Sequence, residues 1–140
     1  MTEFIFPIRV YYEDTDSGGV VYYANYLKFM ERARTEYLRS LGFEQDELIA
    51  SDGVLFAVRS LTLDYLKPAR FNQLLNVSVQ LVEIGKASLL FAQRVEFAAG
   101  DSSHILCAGH VKIACLDART LRPTAIPPRL LREEIGRAHV

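Results

Sequence analysis

Residues Val10 to Tyr26 read VYYEDTDSGGVVYYANY and contain the main change of hydrophobic pattern in the chain. Its first residues continue an apolar and aromatic run that is typical of a β-strand, and this run ends at a group of acidic, hydroxyl and glycine residues. Beyond Gly19 the hydrophobic period changes from two residues to 3.6. We therefore predict a strand, then a polar loop, and then a helix.

The predicted helix runs from Tyr22 to Leu41, and Gly42 follows it as a residue that suits a helix end. One face carries apolar residues at helical spacing, and the opposite face is charged and polar. The apolar face comprises Tyr22, Tyr26, Phe29, Met30, Ala33 and Tyr37. The carboxylate of Asp16 then precedes a helix N-terminus, whose free N–H groups carry partial positive charge. Such a pairing can polarise a carbonyl group and attack it from the same place.

The rest of the chain is predicted to be mostly β-strand, with short helical segments between Phe43 and Ser51 (or a structured loop there) and from Arg129 to Arg137. Alternating apolar residues predict strands at Phe4–Tyr12, Val54–Tyr65, Gln73–Ile84, Ser88–Ala98 and Ile105–Asp117. One long helix with several consecutive strands indicates an α+β fold, in which an antiparallel sheet packs against the helix. The 140 residues contain no repeat or linker, which indicates a single domain over residues 1–140.

Charge and composition exclude several classes of function. Sixteen basic residues face seventeen acidic ones, and no basic block suggests binding to nucleic acid. The chain has no signal-peptide pattern and no apolar run near the ~20 residues of a membrane span, so we expect a cytoplasmic protein without membrane insertion. Cys107 and Cys115 would lie roughly 26 Å apart along one strand, too far for a disulfide. We expect both to be small core residues.

Four segments of the chain resemble one known family. They are Asp14–Tyr22, Asn25-Tyr26, the charged helix segment Glu31–Arg34, and Tyr65–Arg70. Together they resemble the hotdog-fold acyl-CoA thioesterases of the 4-hydroxybenzoyl-CoA thioesterase type, closest to the branch associated with the Tol-Pal system. The resemblance implies a hotdog fold, in which the sheet wraps around the helix, and hydrolysis of an acyl-CoA to free acid and CoA.

The resemblance also assigns roles to residues of the central stretch. Asp16 matches the catalytic carboxylate, as nucleophile or general base, and Asp14 matches the second acid of the motif, which is more typical of a structural role. Tyr23 matches the position whose backbone N–H binds the thioester carbonyl oxygen, although the Tol-Pal-associated branch tends to carry histidine there. Gly19 is expected to let the backbone approach the substrate. Read without the family, Asp16 also suits a turn former or helix cap.

Basic groups are expected to bind the phosphates of CoA. The family carries a basic cluster before the strand that begins at Ser88, and here Lys86 is its single match. Arg59, Lys67, Arg70 and Arg94 are further candidates. So thin a cluster leaves room for an acyl carrier protein as the acyl donor in place of CoA.

The resemblance implies no cofactor and no metal, because a thiolate is already a good leaving group. The acidic loop fails as an EF-hand, since Gly18 and Asn25 occupy two of the ligand positions. The resemblance further implies a homodimer joined sheet edge to sheet edge, paired into a homotetramer, with each site at a subunit interface. The alternative is a non-catalytic protein that binds acyl-CoA or acyl carrier protein, or a scaffold.

Overall fold

The computed structural model describes residues 3–138, which form five strands and three α-helices. The strands are β1 (Phe4–Arg9), β2 (Val54–Tyr65), β3 (Leu74–Ile84), β4 (Ser88–Ala99) and β5 (Ser102–Asp117). The helices are α1 (Asn25–Ser40), the short α2 (Gln45–Glu47) and α3 (Pro128–Ala138). A 3₁₀ turn at Tyr12–Asp14 precedes α1, and a π-helical turn at Leu48–Asp52 follows α2.

The five strands form one antiparallel sheet in the order β1-β3-β4-β5-β2. The strand β1 is an edge strand, so its Pro7 lacks an N–H at a position where a sheet tolerates the loss. The strand β2 is the other edge, and one side of its twelve-residue backbone has no neighbouring strand among the residues that the structure describes. The predicted α+β fold is confirmed.

The core lies between α1 and one face of the sheet. The predicted apolar face of α1 is buried from Tyr26 onward, and Phe29, Met30 and Ala33 have no exposed surface. Opposite them lie alternating apolar side chains of the central strands: Leu75, Val77, Val79, Phe91, Val95, Cys107 and Val111. Both cysteines are free and buried, as expected from their spacing.

One polar side chain, that of Gln93 on β4, lies inside this core. Its amide nitrogen lies 3.2 Å from the backbone oxygens of Met30 on α1 and Ser78 on β3, and donates to both. Its oxygen accepts a hydrogen bond of 2.9 Å from Nη1 of Arg34. A buried amide with these partners is satisfied, and it joins the helix to two strands of the sheet.

Close backbone contact fixes the pairing of β2 with β5. A Cβ added at Gly109 of β5 would lie 1.8 Å from the carbonyl oxygen of Thr62 on β2, far inside van der Waals contact. Only glycine therefore fits there. Near the far end of β2, Arg129 of α3 pairs with Asp52 and stacks on the Phe43 ring at 4.6 Å, so α3 is docked against the segment that follows α1.

Two predicted boundaries in the central stretch are wrong. The first strand ends at Arg9 instead of Tyr12, because residues 12–14 turn into the 3₁₀ segment. The helix begins at Asn25 instead of Tyr22, and Tyr22 is 47% exposed instead of buried. Its N–H is bonded to the carbonyl oxygen of Asp14 at 2.9 Å, which holds Tyr22 in the preceding turn. No helix among residues 3–138 is long and apolar enough to cross a membrane.

Candidate active site

The acidic loop folds into a small hairpin. Thr15 and Val21 form a β-bridge, and the N–H of Asp16 donates to the carbonyl oxygen of Val20 at 2.9 Å. The turn is closed by the Gly19 N–H, which donates to the Asp16 carbonyl oxygen at 3.0 Å. Gly19 has φ +79°, a conformation that other residues rarely adopt, so glycine at this position is needed for the turn.

The carboxylate of Asp16 lies at the tip of this hairpin and is exposed in the single chain. Its Oδ1 accepts a hydrogen bond of 2.8 Å from the Gly18 N–H, an Asx turn. The Oδ2 atom has no partner within residues 3–138. The side chain therefore does act as a turn former, and its second oxygen is left available for chemistry.

Asp14 has a different environment, because its side chain is 6% exposed. Its Oδ2 accepts a hydrogen bond of 2.8 Å from the Tyr11 N–H, and its Oδ1 accepts one of 3.2 Å from the side-chain amide of Asn25. Asp14 thus joins the end of the 3₁₀ turn to the first residue of α1. These contacts agree with the structural role expected for it.

Backbone N–H groups at the start of α1 lack acceptors within residues 3–138, among them those of Tyr23 and Ala24. Ala24 is the N-cap, and no side chain caps this end of the helix. The N–H groups of Tyr23 and Ala24 make no hydrogen bond within the described part of the chain, whereas those of Val21, Tyr22 and Asn25 are all bonded. The Tyr23 amide was expected in the first turn of the helix, but it lies in the turn that precedes the helix. There it is free to donate to a ligand.

A cavity of about 280 Å³ lies beside Tyr23. It is lined by Val21, Tyr23, Tyr26, Tyr65, Leu66, Lys67 and Pro68. The Tyr65 hydroxyl, at the end of β2, donates to the carbonyl oxygen of Tyr23 at 3.1 Å. Deeper in, the Ala69 N–H donates to the buried Tyr26 hydroxyl at 3.0 Å, which ties α1 to the segment after β2. Burial raises the pKa of the Tyr26 phenol.

The structure brings Asp16, Gly19 and Tyr23 into one loop, but it does not bring Lys86 to them within a single chain. Lys86 is exposed in the turn after β3, whereas the hairpin lies near the beginning of that strand, since β1 ends beside Leu74. The ten steps from Leu74 to Ile84 correspond to about 33 Å. A second copy of the chain is needed to place a Lys86 side chain near the loop.

The other cations considered from the sequence differ in their surroundings. Arg94 is held by Glu3 and Glu96, so its charge is already paired. The hydrogen bonds that the guanidinium donates to these two carboxylates raise its pKa, with Glu3 the larger contributor. Lys67 lies at the rim of the cavity, with its Nζ 3.3 Å from Nδ1 of His104. Arg70 is exposed and is bridged to Val20 beside the hairpin. Among residues 3–138, no group of three or more His, Cys, Asp or Glu could hold a metal ion.

Two contacts of the site were not foreseen from the sequence. Asn25 binds Asp14 with its side chain and binds the Tyr22 carbonyl oxygen with its N–H, at 2.8 Å. Tyr65 binds the Tyr23 carbonyl oxygen from another strand. Both residues lie within segments that carry the family resemblance, which was the available signal for their importance.

The family model of the thioesterase superfamily matches residues 18–101, more than half of the chain. The chain belongs to this superfamily. Acyl-CoA thioesterase YbgC of Haemophilus influenzae is 46% identical to this chain over 124 residues, which cover 89% of this chain and 88% of that protein. Acyl-CoA thioester hydrolase YbgC of Escherichia coli O6:H1 is 42% identical over 132 residues, which cover 94% and 96% of the two chains.

Solved structures agree on the fold of the thioesterase. The 4-hydroxybenzoyl-CoA thioesterase from Pseudomonas sp. strain CBS-3 superposes with a TM-score of 0.86, covering 94% of this chain and 98% of that one. Its sequence identity is 17%, so this likeness concerns the fold alone. The predicted hotdog fold and the predicted class, a thioester hydrolase, are confirmed. The roles of Asp16, Gly19, Tyr23 and Lys86 stay predictions.

Proposed function

We propose that this thioesterase hydrolyses acyl-CoA thioesters to the free acid and CoA. The names of its relatives support an acyl-CoA substrate. The observation that carries the proposal is the pair of unbonded N–H groups at Tyr23 and Ala24, which adjoin the hairpin with the Asp16 carboxylate. A donor for the carbonyl oxygen and a reagent for the carbonyl carbon then lie in one loop.

The mechanism uses the Tyr23 N–H to polarise the thioester carbonyl, with the partial positive charge of the α1 N-terminus behind it. A backbone donor of this kind is typically worth about 10²–10³ in rate. As a nucleophile, Asp16 attacks the carbonyl carbon and expels the CoA thiolate, and water then hydrolyses the resulting anhydride. As a general base, Asp16 takes a proton from water, and the hydroxide attacks while the thiolate leaves.

A homodimer joined through β2 would complete the site. The free edge of β2 is twelve residues long, and Val58 and Leu61 are exposed on it, which is unusual for an edge strand that remains unpaired. Antiparallel pairing of two β2 strands would place the Val54 end of one strand beside the Tyr65 end of its partner.

Such a dimer would also explain how Lys86 can serve the site. The turn with Lys86 lies at the Val54 end of the sheet, since Ser88 pairs with Ala114 and Val54 with Asp117. In the dimer this end would approach the hairpin of the partner, so each substrate would contact Asp16 and Tyr23 of one protomer and Lys86 of the other. Further pairing into a homotetramer stays a prediction.

Thiol release from a panel of aromatic and aliphatic acyl-CoAs tests the activity. An enzyme releases CoA over many turnovers, whereas a non-catalytic binding protein shows affinity without release. The same assay with acyl carrier protein as donor tests that second source of the acyl group.

Variants at Asp16 test the assignment. Asp16→Asn retains the oxygen that accepts from Gly18, and we expect kcat to fall by about 10²-fold or more because the reagent is lost. Asp101→Asn, an equal change on an exposed aspartate in the turn between β4 and β5, is the matched control. A folded Asp16→Asn variant with the kcat of the control would disprove the role of Asp16.

A further inference from the structure

The turn that carries the free amides is held by two hydrogen bonds to its carbonyl groups. The Tyr22 carbonyl oxygen accepts from the Asn25 N–H at 2.8 Å, and the Tyr23 carbonyl oxygen accepts from the Tyr65 hydroxyl at 3.1 Å. In a trans peptide the N–H points opposite to the C=O. Fixing these two carbonyl groups therefore fixes the directions of the Tyr23 and Ala24 N–H groups.

Of these two bonds, the one from Tyr65 comes from outside the turn. Tyr65 is the last residue of β2, where its backbone pairs with Cys107. The next two N–H groups, of Leu66 and Lys67, donate to the Leu106 carbonyl oxygen at 2.8 and 3.1 Å. The backbone that carries the phenol is therefore held in place by hydrogen bonds on both sides of Tyr65.

The ring of Tyr65 is also held in position. It packs edge-on against Tyr26 and Tyr23, with ring centroids 5.6 and 6.2 Å apart. The residue is 48% exposed, so the hydroxyl could have been left to water, yet it donates inward to the turn. Burial, followed by Cys107 and Tyr23, raises the pKa of the phenol, which favours its protonated, hydrogen-bond-donating form.

We propose that Tyr65 is a positioning residue of the active site, whose hydroxyl fixes and polarises the Tyr23–Ala24 peptide so that the Ala24 N–H faces the thioester carbonyl beside the Tyr23 N–H. This inference rests on the proposed function. A hydrogen bond to the Tyr23 carbonyl oxygen strengthens the Ala24 N–H as a donor, because hydrogen bonds in a chain polarise one another. The residue acts through the backbone and does not itself contact the reacting atoms.

The test compares Tyr65→Phe with Tyr12→Phe in thiol release from the best acyl-CoA of the panel. Tyr65→Phe removes the hydroxyl and keeps the ring, and Tyr12→Phe makes the same change on a side chain that packs against Phe71 and does not line the cavity. We expect kcat of Tyr65→Phe to fall about tenfold with little change in KM, since a preorganised donor acts mainly in the transition state. Tyr12→Phe should match the wild type.

Two spectroscopic measurements distinguish positioning from a merely structural role. In ¹⁵N–¹H spectra of the free protein, Tyr65→Phe should shift the Ala24 amide signal while signals of the sheet stay in place. In an Asp16→Asn background, the carbonyl stretch of a bound ¹³C-labelled acyl-CoA should move to higher frequency when Tyr65 is replaced by Phe, because the carbonyl is less polarised.

The outcomes separate this inference from the proposed function. If the wild-type protein releases no thiol from any acyl-CoA, the proposed function fails, and the Ala24 amide shift still reports whether Tyr65 orders the turn. If the wild type is active, the positioning role is refuted by a kcat of Tyr65→Phe within twofold of the wild type. A loss confined to KM, or an unchanged carbonyl frequency, refutes it as well.

Discussion

Asp14 and Asp16 lie two residues apart, and we predict that mutation of Asp14 lowers stability whereas mutation of Asp16 lowers kcat. In Asp14→Ala the Tyr11 N–H and the Asn25 amide lose an ionised acceptor at 2.8 and 3.2 Å. A hydrogen bond to a charged group is worth about 1.5–3 kcal/mol. Tyr11 is exposed, so we expect water to replace most of its loss, and the remaining cost comes mainly from Asn25. The sum is about 2–3 kcal/mol in the free energy of unfolding.

Asp16→Asn should leave that free energy almost unchanged. The side chain is exposed, and an amide oxygen can still accept from the Gly18 N–H, so we expect a change of at most about 0.5 kcal/mol. Its catalytic loss, by contrast, is the 10²-fold or larger fall in kcat given above. One aspartate would then be needed for stability and the other for rate.

Urea unfolding followed by circular dichroism gives the two free energies, and thermal scans check them. For a domain of this size, 2–3 kcal/mol corresponds to a melting temperature lower by about 10 °C. The reasoning is refuted if Asp14→Ala melts with the wild type. It is also refuted if Asp16→Asn loses as much stability as Asp14→Ala, since the carboxylate at position 16 would then contribute to folding as strongly as the one at position 14.

Three further predictions concern stability and reactivity. Gly109→Ala should prevent stable pairing of β2 with β5, because its Cβ would overlap the Thr62 carbonyl oxygen, and we expect little folded protein. The control, Gly100→Ala in an open turn, should cost about 1 kcal/mol in the free energy of unfolding. Similar yields and melting temperatures for the two variants would contradict this. Burial raises the pKa of the Cys107 and Cys115 thiols to about 11 each, so neither should react quickly with a disulfide reagent at pH 8 until urea unfolds the chain. Fast labelling of the native protein would contradict this and show that the core opens. A hydrogen bond from Arg129 lowers the pKa of Asp52, so the stabilisation from this ion pair is present above the unfolded pKa near 4 and is lost as the pH falls further. Asp52→Asn should lower the melting temperature at pH 7, and the melting temperatures of variant and wild type should converge towards pH 3. A difference in melting temperature that does not change with pH would exclude the ion pair as the cause.

Much of the fold follows from periodicity, because burial is periodic. The α1 face from Tyr26 to Tyr37 and the strand β2 over Val54–Tyr65 were predicted as the structure has them. The start of α1 was not predicted correctly, since Tyr22 continues the helical spacing but its N–H donates to the Asp14 carbonyl oxygen. A bond between residues eight apart leaves no trace in a hydrophobic pattern.

The candidate site was predictable to a similar extent. The family motif indicated the loop with Asp16, Gly19 and Tyr23, and the local turn chemistry explains why Gly19 is glycine. The distance between that loop and Lys86 was not predictable, because it depends on the strand order β1-β3-β4-β5-β2. The contact between Tyr65 and Tyr23 spans 42 residues of sequence, and it too follows from the sheet order.

The buried Gln93 side chain has a consequence for how this domain can change over time. By bonding Met30 of the helix and Ser78 of β3 from one amide group, it prevents α1 from sliding along the sheet, because any shift would leave a polar group unbonded in the core. We therefore expect that Leu66 and Pro68, which line the cavity, can be exchanged for other apolar residues without displacing the amides at the helix start. Under the proposed function, acyl preference could then change among homologues while the N–H groups of Tyr23 and Ala24 keep their positions.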